Sequence, residues 1–248
     1  MRGEYMGVQV YEDVPIGEIK YLTENIGDAP ISVYVIQGEN GDMLVDTGFY
    51  STYKSIIKWI EKNKFNITDI FVTHAHPDHD WNVAKLKKKY GSRIWIAKKD
   101  ISLIRNFNSQ KQYPTSDRFN FRTKYISFWT KTPLFKSEKY VPDVVIENEG
   151  NADALKYGYD FSIIFLPGHT FGSMGILKGD TLYVGDAYAV ISGVPMMPPH
   201  VTSIKDANES YEKIKEISPH YLACGHGAPY VFNDRLSSQM QQNQRKNL

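Results

Sequence analysis

Thr73-His74-Ala75-His76-Pro77-Asp78-His79 packs three imidazoles and a carboxylate into six residues. With 7 histidines in 248 residues, composition alone produces such a pattern about 4 times in 10,000. A chance cluster is therefore set aside. Neutral imidazole nitrogen and carboxylate oxygen are the donors that suit zinc, iron or manganese. The stretch reads first as a metal site.

Working outward, the apolar run Ile70-Phe71-Val72 delivers His74 as the end of a strand. Behind the motif, Val83, Leu86 and Tyr90 fall on one helical face that Gly91 can close, and Ile94-Trp95-Ile96-Ala97 predicts another strand. Lys87 lies near the apolar face of that helix and fits with its stem packed and its ammonium in water. Ahead of the motif, residues 31–46 alternate as a hairpin turning at Asn40-Gly41, and the second arm ends in Asp46-Thr47-Gly48. Ser51-Thr52 predicts the cap of a helix that carries Tyr53, Ile56, Ile57 and Ile60 on one face.

Further along, Phe161 to Leu166 predicts a buried strand ending at Pro167-Gly168-His169-Thr170. Met174 to Leu177 and Thr181 to Val184 form two more, the second ending at Gly185-Asp186. Ile204, Ala207, Tyr211 and Ile214 share a helical face that Pro219 terminates. Tyr221-Leu222-Ala223 then delivers His226. Asp46, His74, His169, Asp186 and His226 thus each follow a short apolar strand, the place in a layered α/β fold where distant residues converge.

The single cysteine, Cys224, excludes an intrachain disulfide and a Cys-rich zinc site. A net charge of +1 gives no global reason to expect nucleic acid or an anionic membrane. Neither a signal-peptide core nor an 18-residue apolar span is legible, so a cytoplasmic protein is expected. No repeat or linker is visible, and residues 1–248 read as one domain with an insertion at 101–140. That insertion carries eight basic and two acidic residues interleaved with nine aromatics. Poor periodicity there predicts a lid, or a partly helical cover. Its aromatics form either a satellite core or a pocket wall for an anionic or apolar substrate, with Arg118 or Arg122 as anchor. The Gln- and Asn-rich tail from Val231 suggests no role.

The order His74-Ala75-His76-Pro77-Asp78-His79, His169, Asp186, His226 resembles the metallo-β-lactamase-fold hydrolase superfamily, over about Ile31 to Gly227. The resemblance implies a four-layer αβ/βα sandwich. It implies one metal on His74, His76 and His169, a second on Asp78, His79 and His226, and Asp186 between them, with Asp46 beside the metals. Two zinc ions are expected, iron or manganese being alternatives. A hydroxide shared by such a pair attacks a carbonyl or phosphoryl centre. Asp78 and Tyr188 are the candidate catalytic residues. Tyr188 is similar to the tyrosine that acyl-homoserine lactonases place near the same acid, at a spacing one residue shorter, and packing is its competing role.

Departures narrow the field. His79 and Asp186 differ from true β-lactamases with a cysteine ligand, and His76 replaces the usual glutamate of flavodiiron oxidoreductases. The 22 residues after His226 are too few for the helical glutathione-binding domain of glyoxalase II. Asn82 stands where many relatives have glycine. The expected function is hydrolysis of a small ester, thioester or lactone. A phosphodiesterase or nuclease is an alternative, and so is a mononuclear iron dioxygenase of the persulfide type using His74, His169 and Asp186. His200 could reach the site from its loop, while His220 and Cys224 read as structural.

Overall fold

The computed structural model describes residues 2–5, 8–12, 19–26, 29–129, 137–191 and 194–232. The side chain of Arg122 and the tail beyond Phe232 lie outside the described residues.

Two mixed sheets carry the chain. The first has eight strands in the order Arg2–Tyr5, Val8–Glu12, Lys20–Ile26, Ala29–Gln37, Asp42–Val45, Ile67–Phe71, Arg93–Ala97 and Val144–Ile146. The second runs Ser162–Phe165, Met174–Lys178, Thr181–Gly185, Tyr221–Cys224 and Tyr230–Val231. Parallel neighbours need crossovers long enough to reverse the chain twice. The helices Tyr53–Asn63 and Val83–Tyr90 provide them in the first sheet, and Ile204–Ile217 provides one in the second.

The inner parallel strands are apolar on both faces because both faces are covered. Met43, Phe71 and Trp95 point between the sheets and meet Ile163, Met174, Ile176 and Tyr183. Their chain neighbours Leu44, Ile70 and Ile94 point outward against Ile56, Trp59, Ile60, Val83 and Leu86 of the first two helices. On the far side, Leu182 and Leu222 meet Tyr211 and Ile214 of the third. Helices outside and sheets facing each other make the four layers expected. Among the described residues, no helix is long and apolar enough to cross a membrane.

Local predictions fare unevenly. Gly91 does close its helix, at φ +73°, with its N–H on the Lys87 carbonyl. Lys87 pairs with Asp143 at the surface. Thr52, however, caps nothing with its side chain, because its hydroxyl donates back to the Phe49 carbonyl (2.7 Å). Ile204 is half exposed, since the helix starts there and the buried face begins at Ala207.

The insertion is a partly helical cover. Leu103 and Ile104 of the helix Ile101–Arg105, with Tyr140 at the far end, are buried in the core outside the first sheet. Tyr113–Pro114 pairs antiparallel with His200–Val201, and Asn120–Trp129 is helical. Residues 130–136 lie outside the described residues.

Candidate metal centre

All seven expected ligands collect where the two sheets end. Asp46 follows the strand Asp42–Val45 and His74 lies three residues beyond Ile67–Phe71. His169, Asp186 and His226 follow three strands of the other sheet. Backbone bonds lock the halves at this edge: Met174 N–H donates to the Thr73 carbonyl (3.0 Å) and Ser32 N–H to the Gly225 carbonyl (2.9 Å). Gly225 is required for the close approach. A Cβ there would lie 2.5 Å from Asp186 Oδ1 and 2.4 Å from the His79 ring.

Three groups of ligand atoms lie within 4.8 Å of one another: His74, His76 and His169; His74, His79 and Asp186; and Asp78, His79 and His226. Asp186 stands between them, its carboxylate 3.3 Å from His79 Nε2, 3.5 Å from His169 Nε2 and 3.2 Å from His226 Nε2. Asp78 reaches His226 Nε2 at 3.3 Å.

The other nitrogen of four rings is taken. His79 Nδ1 bonds Asp46 Oδ2 (2.8 Å), His169 Nδ1 the His200 carbonyl (2.8 Å) and His226 Nδ1 the Pro30 carbonyl (2.8 Å). His74 Nδ1 meets Thr73 Oγ1 (3.1 Å), which itself donates to Asp46. A ring whose Nδ1–H is committed outward presents a bare Nε2 inward, the tautomer a cation needs. The buried Nε2 atoms of His74 and His79 and Asp186 Oδ1 make no hydrogen bond, and His76 turns its Nδ1 into the cluster, 2.8 Å from His169 Nε2. Such orphans are costly unless something else binds them. The residues present therefore fit metal ions.

Electrostatics of the metal-free chain divides the histidines. Burial, then the neighbouring imidazoles, holds His74 and His76 well below the usual histidine value. Burial pushes His226 the same way, but the carboxylates of Asp186 and Asp78 outweigh it and raise it to about 10. His79 is raised for the same reason, by Asp186, Asp46 and Asp78 against burial. Asp186 stays well below the carboxylate range because His226 and His79 overcome its burial. One half of the centre favours neutral imidazole, while the other favours charged pairs that a cation would replace.

Tyr188 takes a different place. It is buried with its ring stacked on Tyr211 at 5.6 Å and 17°, in the core between the second sheet and its helix. This packing is the competing role expected for it. His200 serves through its carbonyl, although its ring also lies 5.4 Å from that of His169. Sequence reading missed this, since a carbonyl leaves no residue signature. Phe107 of the insertion packs on the His76 ring at 4.8 Å. Arg118 lies over Phe119 and donates to Met196 Sδ at 3.8 Å, on the loop that follows Asp186. Asn82 is buried, and its amide donates to the carbonyls of Thr47 (2.8 Å) and Phe49 (2.7 Å), tying the Asp46 loop to the turn that carries His79.

The sequence profile of the Metallo-beta-lactamase superfamily matches residues 26–226. The metallo-beta-lactamase fold-containing protein ST1585 of Sulfurisphaera tokodaii is 26% identical over 215 residues, 84% of this chain and 78% of its own. The hydroxyacylglutathione hydrolase GloC of Haemophilus influenzae is 28% identical over 156 residues, 59% of this chain and 64% of its own. Among solved structures, TTHA1623 in a di-iron-bound form superposes with a TM-score of 0.57 at 19% identity, over 83% of this chain and 92% of that one.

Proposed function

The chain belongs to the metallo-beta-lactamase superfamily, and within it we propose a metal-dependent hydrolase that holds two ions and cleaves a small ester, thioester or lactone. The observation that carries this reading is the set of orphaned, buried donor atoms on His74, His79 and Asp186, gathered with His76, Asp78, His169 and His226. His74, His76 and His169 would hold one ion, Asp78, His79 and His226 the other, with Asp186 shared. Bound there, the ions supply a water acidified for attack and positive charge for the oxygen that becomes anionic.

The chain's own groups set the geometry. Asp186 stays anionic and, 3.2–3.5 Å from three imidazoles, lies where a shared ligand must. Asp78 is the more exposed carboxylate, 37% accessible, and accepts a hydrogen bond from an incoming water. Phe107 beside His76 excludes bulk solvent from one wall. Arg118 offers a cation to an anionic part of the substrate from the insertion, beside Met196. The relative GloC, a hydroxyacylglutathione hydrolase by name, supports thioester chemistry.

The gathering of Asp78, His79 and His226 favours two ions over a single iron. The di-iron-bound relative keeps iron beside zinc as the metal to be tested. Elemental analysis after metal-controlled expression, followed by a panel of esters, thioesters, lactones and phosphodiesters, tests the reading. Two ions per chain with turnover of a carboxylic substrate are expected. One iron with dioxygen uptake would overturn it, as would turnover confined to phosphodiesters with steep salt dependence.

A further inference from the structure

The first part of the insertion is bonded into the loop that carries His169. Gln112 Nε2 donates to the His169 carbonyl (3.0 Å) and to Thr202 Oγ1 (2.8 Å), and that hydroxyl donates to the same carbonyl (3.0 Å). One residue later, the strand Tyr113–Pro114 pairs with His200–Val201. The His200 carbonyl in that pair is the acceptor of His169 Nδ1. Thr115 N–H extends the pairing to the Pro199 carbonyl (2.9 Å).

The insertion also grips the residues beyond His169. Gln110 Oε1 accepts from Phe171 N–H (2.8 Å), while its Nε2 donates to buried Asp100 (3.0 Å). Asp100 in turn receives Thr170 Oγ1 (2.7 Å) and Gly172 N–H (2.8 Å). Gly172 lets the strands of this knot approach, since a Cβ there would lie 2.6 Å from the Asp100 carboxylate. His169 is therefore fixed at its carbonyl, at its ring and through the three residues after it, largely by side chains from 100–115.

A ligand ring is aimed by what holds its other nitrogen, a partner whose loss costs about 10–100-fold in metal affinity, and by the backbone that carries it. We propose that Gln112 is a positioning residue for His169, and that the insertion through residues 110–115 sets the affinity of the ion held by His74, His76 and His169. The proposal rests on His169 being a metal ligand. It makes the insertion part of the metal centre's framework as well as a cover.

The test uses full-length protein stripped of metal and titrated with zinc against a chromophoric chelator, alongside thermal unfolding of the metal-free chain. Gln112→Leu keeps bulk and removes the donor, Thr202→Val removes the second side-chain bond to the same carbonyl, and Lys54→Ala, at an exposed position of the helix Tyr53–Asn63, is the control. Gln112→Leu is expected to weaken one of two zinc equivalents by about tenfold or more, with metal-free unfolding no more changed than in the control. Combining it with Thr202→Val should cost less than the product of the two, because both act on one carbonyl. Unchanged affinities in Gln112→Leu overturn the proposal. So does a loss shared equally by both equivalents and matched by a fall in metal-free stability. Wild-type protein that binds no zinc overturns the metal reading and this proposal with it.

Discussion

Asp46 sits at φ +60°, a left-handed conformation that costs a non-glycine residue about 1–3 kcal/mol. What keeps it there is the use of both carboxylate oxygens: Oδ1 takes Thr73 N–H (2.8 Å), and Oδ2 takes Thr73 Oγ1 (2.8 Å) and His79 Nδ1 (2.8 Å). One side chain thereby aims His79 directly and His74 through Thr73. Asp46→Ala is expected to weaken metal binding about 10–100-fold, read by the same chelator competition, while Asp46→Asn, which still accepts hydrogen bonds, loses less. Asp69 is a comparable hub without a role at the metals. It accepts from Arg93 Nε (2.7 Å) and Nη2 (2.6 Å), Trp95 Nε1 (2.7 Å) and Tyr159 OH (2.7 Å). Burial pushes its carboxyl up, but Arg93, Tyr159, Trp95 and Thr68 together hold it below the ordinary carboxylate value of 3.8. A carboxyl lowered in the folded chain stabilises above its unfolded value, and that contribution disappears as pH falls through the folded one. Asp69→Asn should therefore cost about 1–3 kcal/mol near neutrality, and denaturant curves of the two proteins should converge below pH 4.

Among elements, the loop between the strand Ser162–Phe165 and His169 shows how tightly a ligand depends on packing. Gly168, at φ +139°, faces the backbone of Ala207, and a Cβ there would stand 2.4 Å from the Ala207 Cα. The helix Ile204–Ile217 cannot yield easily, because Ser203 caps it by accepting from Asp206 N–H (3.2 Å) and its inner face fills the outer core. Gly168→Ala should push the His169 loop off this helix, lowering both the unfolding midpoint and bound metal, whereas Gly179→Ala, whose surroundings are open, should spare the metal. Elements with a strong local period were legible in sequence, including the hairpin around Asn40-Gly41 and the helices behind His79 and before Pro219. Val144–Ile146 was not. It is three residues long, flanked by Asp143 and Glu147, and made a strand by pairing with Trp95 to Ala97. The helix Ala152–Lys156 is likewise too short to show a period.

At the scale of the molecule, the seven candidate ligands, which the fold gathers, and their order were legible because the chemistry resides in side chains. The partners that orient them were largely invisible, since the carbonyls of Pro30 and His200 could belong to any residue type. Gln112 had no motif to announce it. Four of the candidate ligands come from loops of the first sheet and three from the second, with Asp186 and His226 just past strands that neighbour each other. A cation that binds the folded chain and not the unfolded one raises its stability by mass action, about 2.7 kcal/mol at a hundredfold excess over Kd. Thermal scans should accordingly show a midpoint that climbs with added zinc and returns on chelation.

Where those ligands come from also gives the ions a mechanical office. The two sheets are joined by apolar contact across a broad face and, at the ligand edge, by bonds such as Met174 N–H to the Thr73 carbonyl and Ser32 Oγ to the Gly227 carbonyl. Ions there would act as rivets between the two sheets, closing loops of about 95 residues between His74 and His169 and about 147 between His79 and His226. Removing them should let this edge breathe while the opposite end stays shut. Hydrogen exchange at Met174 and Ser32, whose amides donate across the sheets to the Thr73 and Gly225 carbonyls, should quicken on chelation, and exchange deep in Ile163 and Ile176 should not.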